Sequence, residues 1–312
     1  MTTLAGQRLT ATIDDLINTS APAGAHALAE TLRLRHGDSV AAVLFYGSNF
    51  RRGDDREGLL DLYVLVDDCR AALGRRLPAL ACRLLPPNVY YIEMPHQDRT
   101  VRCKYAVLDR ASFCRGMHAA QSYFWGRFGQ PSGLLYARDT KVRSEVSAAL
   151  AQAVLTLLGR AVPLLAPRTD EATWWAVALG ACYAAELRPE RQDAVTALVR
   201  DIAPWRTALT PIAAPLLAGV TPLTDGYGID LRPAARRRGR LAWTARRMLG
   251  KTLNAARLVK AAFTFVGGAD YLLWKVERHS GVRIETTPFL RRHPLLGIWG
   301  IAWRLWRRGG FR

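Results

Sequence analysis

The sequence predicts an α/β domain with a small mixed sheet, followed by a mainly helical C-terminal domain. The chain has 312 residues, of which 50% are hydrophobic, so it is long enough to bury a sizeable core. Short apolar runs typical of buried strands recur before residue 110. From residue 112 onward, longer stretches rich in alanine and leucine favour helices. We therefore expect an α/β domain at residues 1–135, a helical domain at 136–290 and a tail at 291–312.

Each predicted element follows from the spacing of its apolar residues. A helix is predicted over residues 9–35, with an interruption at Ala21-Pro22-Ala23-Gly24. The predicted strands are residues 40–46, 59–66, 89–92 and 101–108, with a polar loop at 49–58. The predicted later helices are residues 112–124, 141–165, 171–187, 190–202 and 241–276.

Composition excludes several classes of protein. The five cysteines contain no C-x-x-C pair and the six histidines no H-x-x-x-H pair, so neither a disulfide framework nor a histidine metal site is predicted. The N-terminus does not resemble a secretory signal. The longest apolar stretches, 172–185 and 295–303, are shorter than the roughly 18 to 20 residues that span a bilayer. We expect a cytoplasmic protein whose membrane contact is peripheral.

The positive charge is concentrated at one end of the chain. The formal net charge is +18, and residues 231–312 contain 19 lysines and arginines against three acidic residues. The first 230 residues are nearly neutral. The C-terminal part is therefore expected to meet an anionic partner, either nucleic acid or an anionic lipid surface.

The tail at residues 291–312 helps to choose between these partners. Tryptophans and arginines alternate in it: Trp299, Trp303, Arg304, Trp306 and Arg307. In a helix the three tryptophans would lie on one side, and tryptophan beside arginine suits the headgroup layer of a membrane. This arrangement favours an anionic membrane surface over nucleic acid. In the alternative reading, the tryptophans pack on the protein's own core and the arginines are solvated.

One group of residues is suited to binding phosphate and a metal ion. The first predicted strand ends in Tyr46-Gly47-Ser48, and the second predicted strand contains Asp61 near its start. A glycine lets a bound triphosphate approach the backbone closely, and the serine hydroxyl and nearby N–H groups can donate hydrogen bonds to phosphate oxygens. A carboxylate such as Asp61 suits Mg²⁺.

This arrangement resembles the nucleotidyltransferase superfamily. That superfamily commonly carries a second carboxylate two residues after the first, whereas this chain has Asp61-Leu62-Tyr63. Asp67 lies six strand residues further on, at roughly 20 Å, which is too far to share one metal ion. Two possibilities follow. Either another protein group completes the metal site, or substrate and water supply the remaining ligands of the metal.

Within that superfamily the chain resembles the mitochondrial phosphatidate cytidylyltransferases, also called translocator assembly and maintenance proteins. The resemblance covers roughly residues 41–276 and lies in these segments, in the order of the family: Phe45-Tyr46-Gly47-Ser48, Leu60-Asp61-Leu62-Tyr63-Val64-Leu65-Val66-Asp67-Asp68, Asn88-Val89-Tyr90-Tyr91, Lys104-Tyr105-Ala106-Val107, Tyr123-Phe124-Trp125-Gly126-Arg127-Phe128-Gly129-Gln130-Pro131, Tyr183-Ala184-Ala185-Glu186-Leu187-Arg188 and Lys260-Ala261-Ala262-Phe263-Thr264. Asn49, Ala106 and Ala185 stand where the family usually has glycine.

The resemblance implies an activity and a set of roles. The enzyme would transfer the cytidylyl group of CTP to phosphatidic acid with Mg²⁺, at the inner face of a bacterial plasma membrane, in phospholipid biosynthesis. Asp61 would hold the metal, Tyr46, Gly47 and Ser48 the nucleotide, and Lys104 and Arg127 would neutralise charge. Lys260 would meet lipid phosphate.

Other interpretations stay open at this stage. Lys104 could be a solvated strand lysine, Arg127 a helix cap, and Lys260 a side chain that extends out of the core. The same motif is compatible with a nucleotidyltransferase acting on nucleic acid or on a small molecule. Because the second carboxylate is missing, an inactive membrane-associated scaffold is a third hypothesis.

Overall fold

The chain forms an α/β structure around a mixed five-stranded sheet, as the apolar runs predict. The computed structural model describes residues 3–56, 58–186 and 192–264. The strand order is β3-β4-β2-β1-β5. The strands are β1 (Val40–Tyr46), β2 (Leu60–Val66), β3 (Asn88–His96), β4 (Arg99–Asp109) and β5 (Ser132–Ala137).

One parallel pair lies at the centre of this sheet. Strand β2 pairs in parallel with β4 and antiparallel with β1, and the remaining pairs, β1 with β5 and β3 with β4, are antiparallel. The residues of β1 and β2 are buried almost throughout, which explains why each is a nearly continuous apolar run.

Strand β5 was not predicted. Ser132–Ala137 pairs with β1 and extends past the boundary expected at residue 135. The segment is short and has no alternation of apolar and polar residues, so its pairing with β1 determines its conformation more than its own pattern does.

Within the described part of residues 3–137, seven α-helices accompany this sheet. They are α1 (Leu4–Ile17), α2 (Ala23–His36), α3 (Ser48–Arg52), α4 (Cys69–Leu73), α5 (Arg76–Leu84), α6 (Arg110–Gly116) and α7 (Trp125–Phe128). The predicted interruption between α1 and α2 is confirmed. Residues 49–58, predicted as a loop, instead contain most of α3, and α4 and α5 were not predicted. The helix predicted over 112–124 begins and ends earlier, because Met117 already lies outside the helix as its C-terminal cap.

The described residues after β5 form five α-helices and a small second sheet. The helices are α8 (Thr140–Ala161), α9 (Glu171–Tyr183), α10 (Gln192–Asp201), α11 (Ala203–Ala213) and α12 (Pro233–Thr264), and the strands are β6 (Arg168–Thr169), β7 (Val220–Leu223) and β8 (Gly226–Ile229). The second sheet, ordered β6-β8-β7, was not predicted. The predicted tail at 291–312 and the part of the last predicted helix beyond residue 264 lie outside the described residues.

Helix α8 is the centre of the later part. With the turn that follows it, Thr140–Leu164 is long and apolar enough to cross a membrane by length and composition, but 67% of its apolar window is buried inside the protein. A core helix of a soluble protein has the same composition. Its burial against neighbouring helices therefore accounts for its apolar character.

Buried tryptophans tie these helices together. Trp174 donates its indole N–H to the carbonyl of Leu158 on α8, and Trp175 donates to the hydroxyl of Thr210 on α11 at 2.9 Å. Trp205 donates to the carbonyl of Gly129, beside the five-stranded sheet. Each tryptophan thus combines a large buried ring with a satisfied polar group.

We predict that Thr210→Val lowers the free energy of unfolding by about 1–3 kcal/mol, because it leaves the buried Trp175 N–H without an acceptor. Urea denaturation monitored by tryptophan fluorescence measures this change. Thr207→Val, at an exposed position of the same helix, is the matched control and should cost less than about 0.5 kcal/mol. Equal losses in the two variants would show that the Trp175 hydrogen bond contributes little.

Candidate active site

Strand register places the predicted site residues in one row across the sheet. Tyr46 on β1 is paired with Asp61 on β2, and Asp61 is paired with Lys104 on β4. Ser132 on β5 and Tyr91 on β3 continue the row on either side. Because paired residues on neighbouring strands share one face of a sheet, the row brings three residues that are far apart in sequence into contact distance.

Gly47 turns the chain immediately after this row. Its φ is +90° and its ψ is −167°, a combination that is essentially restricted to glycine. A Cβ at this position would lie 3.1 Å from Asp61 Oδ2. The backbone of Gly47 therefore passes directly over the carboxylate, and Ser48 follows as the first residue of α3.

Asp61 and Lys104 form an ion pair. The Lys104 Nζ lies 3.0 Å from Asp61 Oδ1, and the two side chains are 37% and 24% exposed. A pair with this exposure contributes little to folding by itself. The lysine is thus not only a solvated strand residue, since it is aligned on the carboxylate that the sequence predicts to hold metal.

Arg127 is the cation that helix α7 contributes. Its guanidinium lies over the ring of Tyr123, 4.2 Å from the centroid, and donates to the carboxylate of Glu186 at 3.3 Å. Burial opposes the charged form of this arginine, but the surrounding tyrosines and Glu186 outweigh burial and raise its pKa well above the usual value. Arg127 is therefore a fixed cation.

Tyr46 is the neutral member of the row. Burial, with a further effect of the Asp61 carboxylate, raises the pKa of its hydroxyl well above the usual value. Its ring packs against those of Tyr63 and Phe128, at centroid distances of 5.1 and 5.8 Å. Tyr46 thus forms a rigid, uncharged wall beside the carboxylate.

All six residues predicted for catalysis and nucleotide binding line one cavity of about 270 Å³. They are Tyr46, Gly47, Ser48, Asp61, Lys104 and Arg127. The structure therefore brings this part of the predicted site together in one place. The chemical roles of these residues stay predictions.

Two further charged residues that the sequence reasoning did not assign to the site line the same cavity, Arg51 and Glu186. The Nε of Arg51 is buried and has no acceptor among the described residues, and burial lowers the pKa of its guanidinium. Arg51 lies in the segment predicted as a loop, so no periodic signal marked it. Glu186 belongs to the Tyr183-Ala184-Ala185-Glu186 segment of the family resemblance. That resemblance was the sequence signal that could have marked Glu186 as a site residue.

The carboxylates of the cavity are compatible with a hydrated Mg²⁺. No group of three or more histidine, cysteine, aspartate or glutamate side chains comes together among the described residues. Asp61 and Glu186 are the two carboxylates of the cavity, and Mg²⁺ is usually held by one or two carboxylates together with water and substrate phosphates. Glu186 is thus a candidate for the second carboxylate that the sequence lacks after Asp61.

A second, mostly apolar cavity of about 440 Å³ adjoins the first. The two cavities share Tyr46, Lys104, Arg127 and Glu186 as lining residues. The apolar cavity is further lined by strand residues and by α12: Leu62, Tyr63, Val89, Ala106, Leu258 and Ala261. Arg257 of α12, whose guanidinium lies 3.9 Å from the Tyr123 ring centroid, supplies a cation at its wall.

Lys260 is not among the lining residues of either cavity. Its Nζ lies 2.6 Å from the carbonyl oxygens of Leu85 and Pro87 and 3.0 Å from Asn88 Oδ1. Burial lowers its pKa to about 8. In this structure the ammonium thus fastens α12 to the segment before β3, and its predicted contact with lipid phosphate stays a prediction. The predicted membrane residues Trp299, Trp303, Arg304, Trp306 and Arg307 lie outside the described residues.

Comparison of the chain with known protein families and with curated proteins finds no match.

We predict that Gly47→Ala lowers the free energy of unfolding by about 3 kcal/mol, since it combines an unfavourable backbone conformation with a Cβ too close to Asp61. Gly53→Ala is the matched control: Gly53 also has a positive φ, of +61°, but a Cβ there meets nothing within 4 Å. It should cost only about 1 kcal/mol. Thermal and urea unfolding of both variants measure the difference, and similar values would contradict the close packing of Gly47 on Asp61.

Proposed function

We propose that the protein is a phosphatidate cytidylyltransferase, which transfers the cytidylyl group of CTP to phosphatidic acid and releases pyrophosphate. The observation that supports this proposal is the pair of adjoining cavities, one charged and one apolar, that share Lys104 and Arg127. A reaction between a nucleotide and a lipid phosphate needs a charged environment for the triphosphate and an apolar one for the lipid. Both must lie beside the same cations.

The charged cavity suits the triphosphate of a nucleotide. It contains three cations, Arg51, Lys104 and Arg127, around Asp61. The buried Arg51 Nε without an acceptor is the kind of group that an anionic ligand would satisfy. The proposed nucleotide is CTP, on the basis of the family resemblance.

The apolar cavity favours a lipid as the acceptor over a nucleic acid. Nucleic-acid sites are lined by cations and exposed aromatic stacking surfaces. This cavity also has three cations and three tyrosines, but most of its surface is apolar and five of its lining residues are aliphatic. A small polar acceptor would leave its apolar walls in contact with water. The glycerol and the first part of the acyl chains of phosphatidic acid would cover them.

In the proposed reaction, an oxygen of the phosphatidate phosphate attacks the α-phosphorus of CTP. The new P–O bond forms as the bond between the α-phosphorus and the bridging oxygen to the β-phosphate breaks, so CDP-diacylglycerol and pyrophosphate result. Lys104 and Arg127 lie where the two cavities meet and would neutralise the charge of the approaching anions. When bound, Mg²⁺ would supply further charge neutralisation at the triphosphate, and Asp61 and Glu186 are the residues that would hold it.

The same proposal assigns a domain type to each part of the chain. The part of the chain around the five-stranded sheet would be a nucleotidyltransferase domain, and the part from α8 onward a helical domain. Peripheral attachment of a cytoplasmic protein to the inner face of the plasma membrane, through residues 291–312, would bring the apolar cavity to its substrate.

We predict that Asp61→Asn reduces formation of CDP-diacylglycerol from CTP, Mg²⁺ and phosphatidate about 1,000-fold, because the neutral amide neither holds metal nor balances Lys104. A radiochemical assay with phosphatidate in mixed micelles measures the rate, with each of the four nucleoside triphosphates tested on the wild-type protein. Asp38→Asn, outside the cavity, is the control. Activity of Asp61→Asn equal to that of the control would contradict the proposal.

Two other outcomes would select the alternatives. Nucleotide transfer to RNA but not to lipid would select a nucleotidyltransferase that acts on nucleic acid. The absence of Mg²⁺-dependent nucleotide binding in calorimetry would favour the inactive scaffold.

A second prediction concerns the acceptor cavity. Ala261→Phe should raise the KM for phosphatidate about tenfold without changing the Kd of CTP, because the larger ring occupies space at the wall of the apolar cavity. Ala256→Phe, at an exposed position of the same helix, is the matched control. Equal kinetics for the two variants, measured by varying lipid at saturating CTP, would show that the acceptor does not enter this cavity.

A further inference from the structure

Helix α5 carries an apolar stripe that faces solvent. Leu77, Leu80 and Leu84 are 79%, 53% and 73% exposed, whereas Ala79 and Cys82 on the other side of the helix are buried. The three leucines are spaced by three and four residues, so they lie on one face. Exposure of three leucines side by side on a helix of nine residues is more than scattered surface leucines would give.

Arginines flank this stripe. Arg76 and Arg83 are seven residues apart on α5 and lie along one edge of the leucines. Together with Arg70 and Arg115 they line a cavity of about 470 Å³ that also includes Leu80. Apolar and cationic groups thus lie next to each other on the same surface.

The acidic residues of that cavity are already engaged within the protein. Asp67 forms ion pairs with Arg110 and Arg138. Asp68 accepts hydrogen bonds from two backbone N–H groups of α4, and Asp109 from one of α6. No ion pair within the described residues engages Arg70, Arg76 or Arg83. The surface therefore has cationic groups available for an external anion.

Hydrogen bonds connect α12 to the segment after α5. Arg257 and Lys260 donate to backbone carbonyls of the segment 85–87, which directly follows α5. These bonds hold the end of α12 beside the end of α5. On α12, Leu258 and Val259 are exposed, and Leu258 also lines the apolar cavity. Exposed apolar residues of α12 thus lie on a helix that is hydrogen-bonded to the segment directly after α5.

We propose that this α5 face, formed by Leu77, Leu80 and Leu84 with Arg76 and Arg83, docks on an anionic lipid bilayer. The leucines would enter the boundary between headgroups and acyl chains, and the arginines would bind lipid phosphate, as interfacial amphipathic helices do. The charge of the face selects this partner over the chain's own C-terminal residues. Residues 265–312 contain nine lysines and arginines and three acidic residues, so they would repel the arginines rather than cover them. The α5 face and residues 291–312 are different segments of the sequence, and no α5 residue lines the charged cavity.

Binding of the full-length protein to vesicles tests this proposal. The probes are vesicles of phosphatidylcholine with and without 30 mol% (about one lipid in three) phosphatidylglycerol, in a sedimentation assay without nucleotide. Leu77→Ser with Leu84→Ser should weaken binding to anionic vesicles about tenfold, through loss of apolar contact. Arg76→Gln with Arg83→Gln should weaken it about tenfold as well, and this loss should vanish at high salt.

The matched controls change exposed residues elsewhere. Leu4→Ser with Leu223→Ser removes two exposed leucines outside α5, and Arg168→Gln with Arg200→Gln removes two exposed arginines. Both controls should bind like the wild type, and thermal unfolding should show that all four variants are folded.

Three results would overturn the proposal. One is unchanged binding of both α5 variants to anionic vesicles. Another is equal binding of the wild type to neutral and anionic vesicles. The third is a stable oligomer in analytical ultracentrifugation that Leu77→Ser with Leu84→Ser dissociates, which would assign the face to self-association. CDP-diacylglycerol synthesis is not part of the readout, so failure here and failure of the proposed function are separate results.

Discussion

The pairing of β2 with β1 on one side and with β4 on the other is the constraint on which the candidate site depends. It fixes Asp61 between Tyr46 and Lys104. A slip of one residue in either register would turn a whole strand face from one side of the sheet to the other. The buried side chains of β1 and β2 resist such a slip because nearly all of them are packed in the core. The hydrophobic core thus sets the geometry of the polar groups, although it contributes no chemistry itself.

Much of this arrangement could be predicted from the sequence, and the reasons differ between residues. Tyr46, Gly47 and Asp61 lie at the ends of apolar runs, so strand prediction alone places them at one edge of a sheet. The family resemblance predicted Lys104 as a site residue. The strand register explains how it reaches the site, because Lys104 is paired with Asp61. Strand β5 forms through its pairing with β1, and no local sequence pattern predicts it. Arg51 and Glu186 were missed as site residues because each reaches the cavity only through the packing of a helical segment onto the sheet.

The cavity contains a carboxylate besides Asp61. A superfamily pattern with two carboxylates on one strand would place both on the sheet, whereas here Leu62 and Tyr63 follow Asp61 and point into apolar surroundings. The second carboxylate of the cavity, Glu186, comes from the segment after α9 instead. The acidic groups are therefore divided between the sheet and the helical part of the chain, and the cavity exists only when both parts are in place.

The ring of Tyr123 lies between two guanidinium groups, Arg127 at 4.2 Å and Arg257 at 3.9 Å from its centroid. Arg127 borders both cavities, and Arg257 on α12 donates its Nε–H to the carbonyl of Pro86. One aromatic plane is consequently a common support for two cations that belong to different helices. A displacement of α12 would move Arg257 away from this ring, so the surroundings of Arg127, whose guanidinium lies on the same ring, depend on the position of the last described helix.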